Sequence, residues 1–173
     1  MNPKDIESLL QSIGEKISTP SVLILVGGGA LALLGSPRPT IDLDFIGDDL
    51  TPSDLHRQVI RLAEDLNIHA EPIPLERFIP LPEGSHERNI RIGRFGGLEV
   101  FVADPYSIAL SKLDRGFDTD LDDIVFLLRR NLVQWEELDR IARASLDHAR
   151  EFDLNPAQLL SNLQAVRRRM SGE

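Results

Sequence analysis

The stretch Val26-Gly27-Gly28-Gly29-Ala30 and the later stretch Asp42-Leu43-Asp44-Phe45 decide the fold of this chain. The apolar run from Ser21 ends at the first stretch, which indicates a buried strand followed by a glycine turn and a short helix. The second stretch alternates polar and apolar residues, which is typical of a strand with one packed face. The residues predicted to pack are Ile41, Leu43 and Phe45, and those predicted on the polar face are Thr40, Asp42 and Asp44.

Together, the two stretches suggest nucleoside-triphosphate chemistry. A glycine turn that enters a helix offers backbone N–H groups, with no side chains in the way, to a phosphate. Two carboxylates at i and i+2 on a strand point the same way and can hold a divalent metal ion. Because Mg²⁺ prefers oxygen ligands, carboxylates are the residues expected at such a site.

A glycine pair, Gly96-Gly97, predicts a β-hairpin further along the chain. Its strands are expected over residues 89–94 and 98–102, and a two-residue turn pairs the residues on either side of it. The pairs predicted on one face are Arg94 with Glu99 and Ile92 with Phe101. This arrangement leaves Glu99 on the polar face of the sheet, together with the two aspartates.

These motifs resemble those of the polymerase-beta-like nucleotidyltransferases, in which a Gly-Gly or Gly-Ser turn and a short helix precede Asp-x-Asp on the next strand. The chain is most similar to a small bacterial branch related to the AbiEii and MenT toxins of toxin-antitoxin and abortive-infection systems. One segment of resemblance runs from Gly27 to Phe45 and includes Arg38-x-Thr40-x-Asp42-Leu43-Asp44. The other runs from Asp104 to Leu128, where Lys112-Leu113-x-Arg115 and Asp120-x-x-Asp123 are similar to a Lys-Leu and a later Lys-Asp-x-x-Asp pattern, with Thr119 in place of the second lysine.

The resemblance implies an active site with three carboxylates, of which the third lies on a later strand between apolar residues. It implies two Mg²⁺ ions, an NTP substrate, and transfer of a nucleotide to a hydroxyl acceptor on RNA, such as a tRNA end, or on a protein. The toxin branch also implies an antitoxin as a candidate partner. The residues expected to be catalytic and to bind metal are Asp42, Asp44 and Glu99, and those expected to bind the nucleotide are Gly27, Gly28, Gly29, Arg38, Thr40 and Lys112.

Several of these residues also have a purely structural interpretation. Glu99 is equally well explained by an ion pair with Arg94 across the hairpin. Lys112 flanks an apolar stripe and is at least as well explained as a surface lysine. For Asp120 and Asp123, an interaction with the N-terminal dipole of their helix is preferred over metal binding.

Two other classes of protein are also compatible with the sequence. The first is a nucleotidyltransferase fold without catalysis that serves as a partner-binding module, an alternative that Thr119 and the two explanations of Glu99 leave open. The second is a dinucleotide-binding protein, because Gly27-x-Gly29-x-x-Ala32 fits part of the fingerprint of that class. That fingerprint places its acidic residue at the end of the second strand, whereas here two aspartates alternate within a strand.

The length and composition of the chain limit the fold. The chain has 173 residues, of which 42% are hydrophobic, and this is enough for one domain with a helical extension. We predict an α/β (α+β) fold, with a small mixed sheet and helices on one of its faces over residues 1–103. A C-terminal helical segment over residues 104–173 is expected to pack on this core. Four prolines between residues 72 and 82 predict a loop or an edge strand there.

Charge and apolar content limit the function. The formal net charge of −9 argues against broad attraction to nucleic-acid phosphates. The chain has no cysteine, which excludes thiolate metal sites, and no apolar run long enough for a membrane span. A cytoplasmic protein is therefore expected.

Overall fold

The computed structural model describes all residues from 1 to 173, and the chain forms two compact units. Unit 1 comprises Met1–Pro74 and Asn89–Ala103, and unit 2 comprises Leu75–Arg88 and Asp104–Glu173. All five strands belong to unit 1, and the regular elements of unit 2 are helices. The α/β class predicted from the sequence is confirmed.

Unit 1 is a mixed sheet with three helices. The sheet order is β3-β2-β1-β5-β4, in which β1 is antiparallel to β2 and parallel to β5. β2 and β3 are parallel, and β4 and β5 form an antiparallel hairpin. The elements are α1 (Pro3–Gly14), β1 (Ser21–Val26), α2 (Gly27–Leu33), β2 (Asp42–Ile46), α3 (Asp54–Asp65), β3 (His69–Ile73), β4 (Ile90–Phe95) and β5 (Leu98–Val102).

One face of this sheet is apolar and buried. Leu43 and Phe45 of β2 are fully buried, and the alternate residues of β1 and β5 continue the same face. Helix α2 contacts β2, α3 contacts β3 and α1 contacts β4, so each helix covers part of the sheet. The prediction for Ile41 is wrong, because β2 begins one residue later and the Ile41 side chain is 79% exposed in the bend that precedes it.

At its turn the hairpin has the predicted residue pairing, but further along the strands the pairing differs from the prediction. Arg94 pairs with Glu99 across the two strands. A β-bulge between Arg91 and Gly93 then shifts the register, so that Phe101 pairs with Arg91 and not with Ile92. A bulge adds one residue to one strand, and this changes every pairing beyond it. The proline-containing strand β3 lies at the opposite edge of the sheet, which agrees with the edge strand predicted there.

Unit 2 is helical. Its helices are α4 (Leu75–Phe78), α5 (Pro105–Arg115), α6 (Asp118–Arg129), α7 (Trp135–Ser145) and α8 (Pro156–Ser171). Asp104 caps α5, because its carboxylate accepts hydrogen bonds from the backbone N–H groups of Tyr106, at 3.1 Å, and Ser107, at 3.2 Å. The Asp104 carboxylate also accepts two hydrogen bonds from Arg88, at 2.9 and 2.8 Å. None of the helices in either unit has both the length and the apolar character needed to span a bilayer.

Candidate functional site

The glycine turn lies directly against the aspartate strand in unit 1. Gly27 follows β1 with φ at +70°, a backbone conformation that suits glycine. A Cβ atom at Gly27 would overlap the carboxylate of Asp44 and lie 3.2 Å from its Cβ and Cγ atoms. A Cβ atom at Gly28 would lie 2.9 Å from Oγ1 of Thr40 and 3.1 Å from its Cβ atom. The turn, Thr40 and Asp44 are therefore packed so closely that only glycine fits.

The strand register places the aspartates at the turn. Asp44 pairs with Val26, the last residue of β1, and Asp42 lies two residues away on the same face of β2. Both aspartates are half-buried, and Oγ1 of Thr40 donates a hydrogen bond of 3.2 Å to the carbonyl oxygen of Asp42. A Cβ atom at Gly29 would lie 3.6 Å from that same carbonyl oxygen, an ordinary van der Waals distance. The structure thus brings together six of the residues predicted for the site, namely Gly27, Gly28, Gly29, Thr40, Asp42 and Asp44.

Arg38 lies in the exposed loop that leads to this strand. Its backbone N–H donates to Oγ of Ser36 at 3.4 Å, which helps to order the loop. The loop contains Pro37 and Pro39, which restrict the backbone on either side of Arg38. The assignment of Arg38 to the nucleotide stays a prediction.

Two polar residues on β3 join the aspartates, and the sequence interpretation missed both of them. In the parallel register of β2 and β3, His69 pairs with Asp42 and Glu71 pairs with Asp44, so all four share one face. Nε2 of His69 donates to the carboxylate of Glu71 at 3.0 Å. This hydrogen bond raises the pKa of His69, and the charges of Glu71 and of the two aspartates add to the effect against the opposing effect of desolvation. The alternation of His69 and Glu71 with Ala70 and Pro72 is the sequence signal that could have placed both residues on one face of a strand.

Glu99 lies on the same sheet face as Asp42 and Asp44 but at a distance from them. It pairs with Val22, whereas Asp44 pairs with Val26, so the two lie roughly 13 Å apart along the strands and about 10 Å apart across them. One metal ion cannot bridge that separation. The carboxylate of Glu99 instead accepts a hydrogen bond of 3.0 Å from Nε of Arg91, its ion-pair partner. Glu99 therefore lies too far from the aspartates to share one metal ion with them in this structure, and its ion-pair partner is Arg91 and not Arg94.

Lys112 is buried within unit 2, where its ammonium group contacts two carboxylates. Nζ lies 2.8 Å from Asp123 and 3.2 Å from Asp120, and the lysine side chain is 6% exposed. Arg115 also binds Asp120, at 2.5 Å. Burial by itself raises the pKa of Asp120, but the hydrogen bonds and charges of Arg115 and Lys112 outweigh this effect and lower it. These contacts give Lys112 a structural role between α5 and α6. Its burial shows that it is not a surface lysine, and its assignment as a phosphate ligand stays a prediction.

The aspartate pair suits a magnesium ion that is completed by the substrate. No group of three or more His, Asp or Glu side chains converges to form a complete metal cage. Mg²⁺ usually binds one or two carboxylates and takes its other ligands from substrate phosphates and water. Asp42 and Asp44, two half-buried carboxylates on one face beside the glycine turn, match that mode of binding.

The topology argues against the dinucleotide-binding alternative. That class uses a βαβ unit in which the two strands run parallel, with the glycine turn between the first strand and the helix. Here β1 and β2, which flank the glycine turn and α2, are antiparallel neighbours. The partial match of Gly27-x-Gly29-x-x-Ala32 is therefore a local similarity of the turn.

The glycine turn, the paired aspartates and the mixed sheet define a nucleotidyltransferase-type domain. The chain belongs to the DUF6036 family, which is described as a nucleotidyltransferase of unknown function and whose model matches residues 4–166. The match spans residues of both units. Neither a curated protein nor a solved structure matches the chain. The similarity to the AbiEii and MenT branch stays a prediction.

Proposed function

We propose that the protein transfers a nucleotide from an NTP to a hydroxyl acceptor in a Mg²⁺-dependent reaction. The acceptor oxygen forms a bond to the α-phosphorus, pyrophosphate leaves, and the hydroxyl proton passes to solvent. The observation that carries this proposal is the close packing of Gly27 and Gly28 against Asp44 and Thr40. This packing places the backbone N–H groups of the turn close to two carboxylates and one hydroxyl group at the same end of β1. Membership of a nucleotidyltransferase family supports the same type of reaction.

Each part of the site has a defined task in this proposal. The backbone N–H groups of the glycine turn donate hydrogen bonds to the phosphates of the NTP. Asp42 and Asp44 would hold Mg²⁺, which would supply positive charge to neutralise the phosphates and the oxygens of the reaction. The hydroxyl group of Thr40 orients the strand by its hydrogen bond to the Asp42 carbonyl. Glu71 beside Asp44 supplies a further carboxylate on the same face.

The proposed acceptor is a hydroxyl group on RNA or on a protein, and an antitoxin is proposed as a partner by analogy with the toxin branch. The net charge of −9 does not select between the two acceptors, because the carboxylates of the site contribute to it. The transfer assay therefore offers both acceptors.

A transfer assay tests the proposal. Purified protein is incubated with Mg²⁺, each α-labelled NTP in turn, and either total RNA or a cell lysate, and we expect label to enter one acceptor fraction. Asp44→Asn should abolish the incorporation. Glu99→Gln is the matched control, because Glu99 lies on the same sheet face at a distance, and it should retain the incorporation.

The main alternative is a partner-binding module with the same fold and no catalysis. It predicts that wild-type protein labels no acceptor with any NTP. It also predicts that a protein partner is retained equally by the wild type and by Asp44→Asn. That combination of results would contradict the proposed enzyme activity and support the partner-binding module.

A further inference from the structure

Unit 2 contains a cavity of about 270 Å³ between the start of α7 and the last turns of α8. Its lining consists of Trp135, Arg167, Met170 and Ser171. The three residues of α8 follow helical spacing and so lie on one side of that helix. This volume is slightly smaller than the volumes typical of pockets that enclose a whole small molecule. The cavity therefore suits one planar ring and its immediate substituent.

Arg167 is held over the tryptophan by stacking. Its guanidinium carbon lies 4.8 Å from the centroid of the Trp135 ring, a distance typical of a cation–π contact. Arg167 is exposed and forms no ion pair. Arg169, two residues further on, is different, because it binds Asp118 at 2.7 Å and Asp122 at 2.6 Å. The N–H groups of Arg167 are therefore available to an anion, in a position fixed by the indole ring.

We propose that this cavity binds a nucleotide unit, with its base against Trp135 and Arg167 and its phosphate on the Arg167 guanidinium. Indole rings and guanidinium planes both stack on nucleobases, and they do so with little sequence preference. A guanidinium group also matches a phosphate with two parallel hydrogen bonds. Met170, which is 37% exposed, adds a flexible apolar contact at the edge of the ring.

The nucleotide unit can come from a free nucleotide or from single-stranded nucleic acid, since both present the same base and phosphate. The residues that line this cavity all belong to unit 2, whereas the aspartate pair belongs to unit 1. Binding here therefore does not depend on the proposed transfer reaction, and the two proposals can fail independently.

Trp135 is the only tryptophan in the chain, so all tryptophan fluorescence comes from a residue that lines this cavity. The full chain is titrated in EDTA with AMP and, separately, with a short single-stranded oligoadenylate. We expect a saturable change in the emission. Arg167→Ala should weaken AMP binding by about tenfold or more, as expected for the loss of a charged hydrogen-bond donor. Arg168→Ala is the matched control, because Arg168 is the adjacent exposed arginine and does not line the cavity, and it should bind AMP like the wild type.

The outcomes are distinct. Binding of AMP identifies the free nucleotide as a sufficient ligand, and binding of the oligoadenylate alone identifies nucleic acid, and both support the site. No saturable change with either probe, or equal weakening in the two arginine variants, overturns it. Asp44→Asn should bind as the wild type does, and a loss of the signal in that variant would show that the nucleotide binds at the aspartate pair and not at this cavity.

Discussion

The protein contains two pairs of aspartates with regular spacing, and the pairs have opposite surroundings. Asp42 and Asp44 lie half-buried on a strand, and Asp44 packs directly against a glycine turn. Asp120 and Asp123 lie buried on a helix, against an ammonium group that belongs to the same unit. The spacing of carboxylates is thus a poor guide to function by itself. What separates the two pairs is their burial and surroundings: Asp120 and Asp123 are buried against the Lys112 ammonium group, whereas Asp42 and Asp44 lie half-buried on a sheet face beside the glycine turn.

The same substitution in both pairs gives the largest expected contrast. Asp42→Asn and Asp44→Asn should lower the transfer rate by about a thousandfold or more, because metal binding contributes several kcal/mol to transition-state stabilisation. The free energy of unfolding should change little. Asp123→Asn should do the reverse, with nearly unchanged transfer and a stability loss of about 1–3 kcal/mol from a weakened buried ion pair. Initial rates and urea unfolding measure the two effects.

Removal of the buried cation should destabilise unit 2 strongly. Lys112→Met keeps most of the side-chain volume and leaves two buried carboxylates without their ammonium group, which costs about 3–5 kcal/mol. Arg143→Met, at an exposed pair with Asp139, is the control and should cost about 0–1 kcal/mol. If Lys112→Met were as stable as the wild type and lost transfer activity, the lysine would be a phosphate ligand after all.

The glycine turn allows a finer test within the site. Gly27→Ala places a methyl group into the Asp44 carboxylate at a positive φ, and we expect a loss of about 1–3 kcal/mol together with reduced transfer. Gly29→Ala has room for its methyl group inside α2, where it meets only ordinary contacts. It should be neutral or stabilising by up to about 1 kcal/mol. Equal effects at both positions would show that the turn does not hold the aspartate in place.

The two glutamates on the polar face should also differ. Glu71→Gln should lower transfer by about tenfold, because Glu71 lies beside Asp44 and adds charge to the metal site. Glu99→Gln should leave the rate unchanged and cost about 0–1 kcal/mol, as an exposed ion pair does. A larger rate loss in Glu99→Gln than in Glu71→Gln would contradict the register argument.

The smallest expected effect is a pH dependence of stability that belongs to the buried pair. Arg115 and Lys112 lower the pKa of Asp120 in the folded protein, so its ionised form contributes stability above the ordinary value of 3.8. That contribution is lost as the pH falls below this value towards the folded pKa. Asp120→Asn should therefore flatten the acid limb of a stability profile measured by urea unfolding at several pH values. A profile identical to that of the wild type would mean that other carboxylates account for the acid limb.

The parts of the site that could be predicted are those encoded within a short segment. The glycine turn and the aspartate strand lie close in sequence, so the alternation of β2 and the apolar run of β1 were sufficient to place them. Ile41 was misplaced because alternation alone does not show where pairing between strands begins. At that point the chain is still in a bend.

The residues that were missed or misassigned depend on contacts between distant segments. Glu99 and Glu71 both alternate with apolar neighbours, and only the order of the strands decides which of them reaches the aspartates. The burial of Lys112 depends similarly on how α6 packs against α5. Strand order and helix packing arise from the whole core, and no local pattern of residues specifies them.

The two edge strands of the sheet affect the tendency of unit 1 to aggregate at high protein concentration. An exposed edge strand offers unpaired N–H and C=O groups to another chain, which promotes aggregation. At one edge, Pro72 removes a backbone donor from β3, and at the other, the bulge between Arg91 and Gly93 distorts β4. Both edges are thus poor templates for a further strand. This favours a sheet that stays at five strands when many copies of the chain meet.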